Sequence, residues 1–253
     1  MSKKNLPENR PVLTVMIQAR TPERVSELIK RGTAGGADAF GIQLEQLEHK
    51  YRTEKILKRI FDEVGDKPLY VTDYRSNLNT GMTDEELAEE MLLAVGCGAD
   101  LADVMGDIFC RSELEITYDR DAVSRQTEYI SKIHNAGGKV LMSSHTMKYL
   151  PPEKVINIAE SHQSRGADIS KIVTAAESRK ELDSNFEISA RLSQELKIPF
   201  LFLCAGGFSA LHRRIAPLIS NGMFLCVAEH DELSTPAQPL LSDAARIVRA
   251  VCL

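Results

Sequence analysis

Short apolar runs alternate with capped, helix-like segments about eight times along this chain, and that alternation limits its fold more than any other feature. The runs read as strands at VLTVMIQA (12–19), AFGIQLEQL (39–47), PLYVTDYR (68–75) and ADLADVMG (99–106). They continue at KVLMSSH (139–145), through GADISK to Lys171, and at PFLFLCAG (199–206) and MFLCVAEH (223–230). Short apolar runs bounded by turn residues are the pattern of strands buried on both faces. Helix openings stand between them. Thr21-Pro22-Glu23 supplies an N-cap, a proline at the first helical position and an acid against the dipole. Thr83-Asp84-Glu85-Glu86 is a capping box, Pro151–Pro152 opens another helix, and Ser178 with Glu181 caps the next. Further helices are expected over about 52–64, 121–136 and 241–252. Gly-Ala-Asp recurs at 36–38, 98–100 and 166–168, each time where a helix ends and an even-numbered strand begins. Glycine there ends a helix through a left-handed residue without steric cost. A repeated αβ turn and eight parallel strands predict a single α/β fold, a closed (β/α)8 TIM barrel. Residues 1–10 are then a short polar tail and 11–253 one catalytic domain. A doubly wound open sheet is the alternative, weakened because no GxGxxG follows the first strand.

Composition removes several function classes. The net charge of -5 leaves no basic footprint, so nucleic acid is not an expected partner. No apolar run approaches the ~18 residues of a membrane span. The opening MSKKNLPENR lacks the apolar core of a signal peptide, so export is not expected. Cys97, Cys110, Cys204, Cys226 and Cys252 are odd in number, scattered and without a CxxC pair. They read as reduced thiols of a cytoplasmic protein. No His/Asp/Glu set has metal-ligand spacing, so neither a metal nor a cofactor is invoked. A homodimer is compatible with this reading.

The stretch Lys139–Lys171 carries the chemistry. It reads as a strand ending in His145, a crossover helix and a strand ending near Lys171, so both residues stand at carboxyl ends of strands, where barrels place their sites. A lysine flanked by Ile169, Ile172 and Val173 is poorly hydrated, which favours the neutral amine, a nucleophile toward carbonyls. A nearby histidine supplies a proton acceptor that works near neutral pH. The structural alternative is a lysine that snorkels to water and a core histidine bonded to a carbonyl. The other strand ends add Arg20, Gln43, Glu45, Asp73, Arg75 and Asn79 to the expected rim. The last loops add Arg213 or Arg214, Glu229, His230, Ser234 and Gln238. Arginines at the mouth suggest an anionic group on the substrate, such as a carboxylate. Asp73 paired with Arg75, two residues on, is an equally good structural reading.

These residues resemble the type I 3-dehydroquinate dehydratase family, the Schiff-base class, from about Pro11 to the end. SSH (His145) and GADISK (Lys171) are similar to the segments bearing the family's general acid/base and Schiff-base lysine. TDYRS resembles a third-strand TFRS motif and implies Arg75 as a substrate ligand. RRIA resembles the segment with the carboxylate-binding arginine and points to Arg214, with Arg213 one register away. STPAQ resembles the SAPGQ-type closing loop and implies Ser234 and Gln238 over the substrate. The resemblance implies a lyase that eliminates water from a small cyclic keto acid without a cofactor. The chain also departs from the pattern. The family's hydroxyl-binding glutamate and arginine are Gly41 and Gln43 here, and the glutamate beside its histidine is Asn79. The N-terminal hairpin is missing or reduced to the polar tail. Three functions stay open at this point: the family's dehydratase with an altered site, a lysine-imine lyase on another hydroxylated keto acid, and a silent carboxylate-binding paralogue. Restoring the family residues at 41, 43 and 79 is expected to raise 3-dehydroquinate activity.

Overall fold

The computed structural model describes residues 7, 9–220 and 222–252. Eight strands follow in chain order: β1 (Val12–Ile17), β2 (Ala39–Gln43), β3 (Leu69–Thr72), β4 (Leu101–Met105), β5 (Lys139–His145), β6 (Ile169–Ala175), β7 (Phe200–Ala205) and β8 (Met223–Cys226). A helix follows each: α1 (Pro22–Ala34), α2 (Glu54–Asp62), α3 (Asp84–Gly96), α4 (Arg120–Asn135), α5 (Pro152–Ser164), α6 (Arg179–Glu195), α7 (Ser209–Ser220) and α8 (Leu241–Cys252). All recorded pairings are parallel, in the order β7-β6-β5-β4-β3-β2-β1-β8. The result is a nearly closed (β/α)8 barrel. Among the described residues no ladder joins β7 to β8.

The expected capping boxes at Thr83/Glu86 and Ser178/Glu181 are both formed, and Thr21 caps α1 ahead of Pro22. Outward-facing strand residues such as Val15, Phe40, Val71, Val104 and Val140 pack with the helices into the main core. Inside the barrel a second set, including Met16, Leu141, Val173, Leu203 and Leu225, fills the space between strands. β1 and β3 stop two and three residues earlier than their hydropathy suggests. β6 runs on to Ala175, so that Lys171 stands inside it and not at its end. β2 and β8 stop four residues early. Gln43 pairs with Thr72, the last residue of β3, so Leu44 has no ladder partner and the chain turns into a 3₁₀ turn at Leu44–Gln46. β8 ends at Cys226, opposite Val15, which leaves Glu229 and His230 in the loop beyond. The expected polar tail lies largely outside the described residues, but Arg10 at its end grips Asp38 with two bonds of 2.7 and 2.9 Å. No helix among the described residues is long and apolar enough to cross a membrane.

The three Gly-Ala-Asp copies are one device used three times. Gly36, Gly98 and Gly166 have φ of 83°, 112° and 96°, the left-handed region that glycine enters without a Cβ penalty. The alanine of each copy is buried, and the aspartate closes a cycle with the preceding odd strand. Asp38, Asp100 and Asp168 accept from the backbone N–H of Leu13, Leu69 and Val140 at 2.9, 2.8 and 2.8 Å. Their own N–H groups donate to the carbonyls of Leu13, Leu69 and Val140. Register at the amino-terminal end of the barrel is therefore pinned at β1/β2, β3/β4 and β5/β6 by the same two bonds.

This predicts opposite signs for two alanines placed two residues apart. Gly98→Ala, forced to keep a positive φ, loses about 1–2 kcal/mol. Gly96→Ala, in the last turn of α3 with open space around its Cβ position, gains up to about 0.5–1 kcal/mol from helix propensity. Urea unfolding of the two variants checks the pair.

Candidate active site

Lys171 projects from the middle of β6 into the barrel, and the sequence's picture of apolar surroundings needs correction there. Its Nζ lies 3.0 Å from the Tyr70 hydroxyl, 2.5 Å from the Tyr74 hydroxyl and 3.1 Å from Asp103 Oδ2. Asp103 comes from β4 on the inward parity, with Leu101 and Met105 on the same face. Its Oδ2 also accepts from both tyrosine hydroxyls, and its Oδ1 from Ser143 Oγ at 2.5 Å. Burial alone opposes the Asp103 charge, but Lys171, His145, Ser143 and Tyr70 outweigh it and hold the carboxyl below its ordinary range. Burial, reinforced by the Asp103 charge, pushes both phenols well above theirs. The amine thus sits in a dry cluster that is polar and fully bonded.

His145 ends β5 beside this cluster, its ring edge-on to Tyr74 with centroids 4.9 Å apart. Glu115 Oε2 accepts from both the His145 backbone N–H and Nδ1, each at 2.7 Å. A carboxylate only accepts, so Nδ1 carries the hydrogen and Nε2 is left as the basic nitrogen. Glu115 sits on the loop between β4 and α4 with φ of 47°, a conformation that costs energy for a residue with a Cβ. Ser144 Oγ grips its carbonyl at 2.6 Å, so two consecutive β5 residues hold it in place. Among the described residues the other non-glycine positions at positive φ, Asn77, Phe109 and Met147, lie on loops following β3, β4 and β5. All four flank the same mouth of the barrel.

A cavity of about 590 Å³ opens over the lysine and histidine. Met16, Met105, Val173, Leu203 and Leu225 give it an apolar wall, and Gln43, Glu45, Tyr74, Arg213, Thr235 and Gln238 give it a polar one. Arg213 rather than Arg214 reaches it. Arg213 Nε donates to the Cys204 carbonyl at 3.1 Å, and no carboxylate among the described residues pairs with it. Burial pulls its guanidinium below the usual value. Arg214 points away from the cavity and donates to the Ala210 carbonyl of its own helix. Gln238 is buried with an unpaired Oε1.

Several expected rim residues are committed elsewhere. Arg75 touches the cavity, but Asp84 takes it in a fork at 2.6 and 2.8 Å and Asp107 bonds it at 2.6 Å. It braces two loops and does not pair with Asp73. Asp73 instead accepts from Asn79 at 2.7 Å, in a buried group with Arg52. Asn79 bonds Arg52 and the Tyr74 carbonyl as well, and it does not meet His145; Glu115 does. Ser234 Oγ folds back on Asp231, Glu229 pairs with Arg24 and Arg31, and Arg20 lines a separate shallow cleft. At Gly41 a Cβ would meet Met16 Sδ at 2.4 Å and Tyr70 Cδ1 at 3.0 Å. Those side chains occupy the place of a larger residue, so putting glutamate there requires Met16 to move.

Fold and site define a (β/α)8 barrel with an ionisable lysine–carboxylate–phenol centre at its carboxyl-terminal mouth. A family model for type I 3-dehydroquinase matches residues 13–251, and the chain belongs to that family. It is 24% identical over 149 residues to a 3-dehydroquinate dehydratase of Geobacillus sp. (strain WCH70), a match covering 56% of this chain. The chain spans about half the length of that curated relative, 55% of it. Among solved structures it resembles type I 3-dehydroquinate dehydratase from Clostridium difficile with covalently modified comenic acid. There the TM-score is 0.79 at 17% identity, covering 97% of this chain and 94% of that one. The 3-dehydroquinate dehydratase of Enterococcus faecalis gives 0.77 at 16% identity, covering 98% and 97%. At these identities the likeness speaks to fold.

Glu45 and the lysine pair give two measurable consequences. Burial, opposed by bonds from its own backbone and Thr72, raises the Glu45 carboxyl from 4.5 to about 7. The folded state then binds the proton more tightly, so this group's contribution falls as pH rises from 4.5 to about 7. Glu45→Gln, which keeps an acceptor for Thr72, stabilises at pH ~8 by on the order of 3 kcal/mol and much less at pH ~4. Thermal melts across that range read the effect. Lys171→Met leaves Asp103 buried without its cation and costs about 3–5 kcal/mol, part of which Asp103→Asn restores in the same chain. Urea titrations of the single and double variants check the coupling.

Proposed function

We propose that this protein is a Schiff-base hydro-lyase that removes water from a cyclic β-hydroxy keto acid, with 3-dehydroquinate going to 3-dehydroshikimate as the reference reaction. The observation that carries it is the Lys171 amine at the base of a cavity, beside a histidine whose tautomer Glu115 fixes. Family membership supports the same reading. Lys171 condenses with the ring ketone, two of its ammonium hydrogens leaving with the ketone oxygen as water, and the resulting iminium acidifies the neighbouring carbon. His145 Nε2 removes that proton and passes it to the departing β-hydroxyl, so water leaves and hydrolysis of the imine releases the enone. Arg213 offers a cation to the carboxylate, and Gln238 in the same lining presents an unpaired Oε1 that can accept from a substrate hydroxyl.

A second reading, a lysine-imine lyase for a keto acid with fewer hydroxyls, is favoured by one feature. Met16 and Tyr70 fill the space over Gly41, so position 41 sends no side chain toward the cavity, and Arg75 is already held by two aspartates. A substrate hydroxyl directed at positions 41 and 75 lacks the charged partners that the family pattern places there, and an unmatched hydroxyl is a large penalty in a buried site. Restoring the family's residues is then a poor route to activity: glutamate at 41 displaces Met16, and glutamate at 79 crowds Asp73. Retention of both lysine and histidine argues against a silent binder. The five cysteines are free, in keeping with a cytoplasmic enzyme. Leu211, Ile215 and Ile219 form an exposed apolar stripe along α7, which supports assembly as a homodimer.

Incubation with 3-dehydroquinate and borohydride, followed by intact mass and peptide mapping, is expected to place one substrate adduct on Lys171. His145→Ala should still take the adduct while elimination falls by about 10²–10⁴-fold. Labelling at a different lysine, with Lys171→Met still active, would remove the Schiff-base reading.

A further inference from the structure

Elimination from an iminium needs one acid–base group, and the His145–Glu115 pair supplies it. The structure holds a second relay that this reaction leaves unused. Tyr74 lines the cavity, and its hydroxyl contacts Lys171 Nζ at 2.5 Å and donates to Asp103 Oδ2. The Tyr70 hydroxyl repeats these contacts one layer deeper, at 3.0 Å from Nζ. A carboxylate behind a phenol that faces the imine nitrogen is the arrangement needed to accept a proton from a hydroxyl close to that nitrogen. In a β-hydroxy iminium the nitrogen and the hydroxyl oxygen are linked through three carbons, and folding that short link brings the oxygen to the groups surrounding the nitrogen.

We infer that the same site catalyses aldol cleavage of linear γ-hydroxy-α-keto acids, with Tyr74 and Asp103 as its proton relay, an activity that rests on the Lys171 imine proposed above. Lys171 condenses with the ketone and water leaves. Tyr74 accepts the γ-hydroxyl proton as it passes its own to Asp103. The bond between the β- and γ-carbons breaks, its electron pair moves into the iminium to form an enamine, and the γ-carbon departs as an aldehyde. The relay then returns the proton to the enamine carbon, and hydrolysis frees pyruvate and Lys171. Atoms and charge balance without an oxidant, because a hydroxy-keto acid becomes an aldehyde and a keto acid. The positive iminium starts beside Asp103, as the ammonium does in the resting site, and both charges are neutralised together as the bond breaks, the iminium becoming an enamine while Asp103 takes the relayed proton. The apolar wall of Met16, Leu203 and Leu225 suits the carbon chain of such a substrate.

The test uses an aryl-substituted γ-hydroxy-α-keto acid, with aldehyde followed by absorbance and pyruvate by coupled reduction. Wild-type protein is expected to release both in equal amounts, and Lys171→Met neither. Tyr74→Phe, which keeps ring and volume, should lose at least about 10²-fold in cleavage, the scale of one acid–base group. Borohydride with pyruvate should still label Lys171 in that variant, which a merely unfolded or collapsed site would not permit. His145→Ala should keep releasing aldehyde. Cleavage by Tyr74→Phe at the wild-type rate overturns the relay. Lys171 labelled by pyruvate, with no aldehyde above the Lys171→Met level, overturns the cleavage activity and leaves the Schiff-base lyase standing. No labelling of Lys171 by pyruvate or 3-dehydroquinate removes both.

Discussion

Everything at the mouth of this barrel depends on one buried ion pair, Lys171 with Asp103. Two charges taken out of water are tolerated only when each is bonded on every side. Here β3 sends Tyr70, the loop after it sends Tyr74, β5 sends Ser143, and all three converge on the Asp103 carboxylate with the lysine. The pair therefore ties β3, β4, β5 and β6 together at one level. It also sets what lies around it: the phenols are oriented by the carboxylate, and Tyr74 in turn stands edge-on to the His145 ring. The amine is kept from solvent without being left in hydrocarbon.

The two ends of the barrel use backbone geometry differently. At the amino-terminal end, glycines take the positive φ angles and aspartates repeat the same pair of main-chain bonds. At the other end, Asn77, Phe109, Glu115 and Met147 take positive φ despite their side chains. Strain of that kind persists where surrounding bonds over-determine it, and Glu115 shows how: the serine and histidine of β5 clamp its carbonyl and carboxylate. Stability is concentrated at one face and aimed chemistry at the other, the division expected for this architecture.

Much of this was legible in the chain. Eight strand signals, the capping boxes and the Gly-Ala-Asp turns were local, and local rules read them. Lys171 and His145 could be found because each interrupts or ends an apolar strand. Asp103 carries the same signal, a charge inside ADLADVMG, but which strand's lysine it meets two strands away is a matter of register that no local rule supplies. Tyr70 and Tyr74 read as ordinary strand aromatics, since nothing local separates a core phenol from one aimed at an amine. Glu115 had no signal, because its place depends on how a long loop closes. The choice between Arg213 and Arg214 failed for a related reason. One step along α7 turns a side chain by about 100°, and only the rotation of the helix against β7 decides which of the two reaches the cavity.

Among the described residues the edge between β7 and β8 carries no ladder, and that bears on motion. The other seven neighbouring strand pairs are knitted by main-chain bonds, while α7 packs against both β7 and β8. A cylinder sewn along all but one line yields first along that line. Arg213, at the start of α7, and Gln238, in the loop after β8, stand on opposite banks of the slit. A substrate caught between them would act as a stitch, so that loading the site and closing the cylinder become one event.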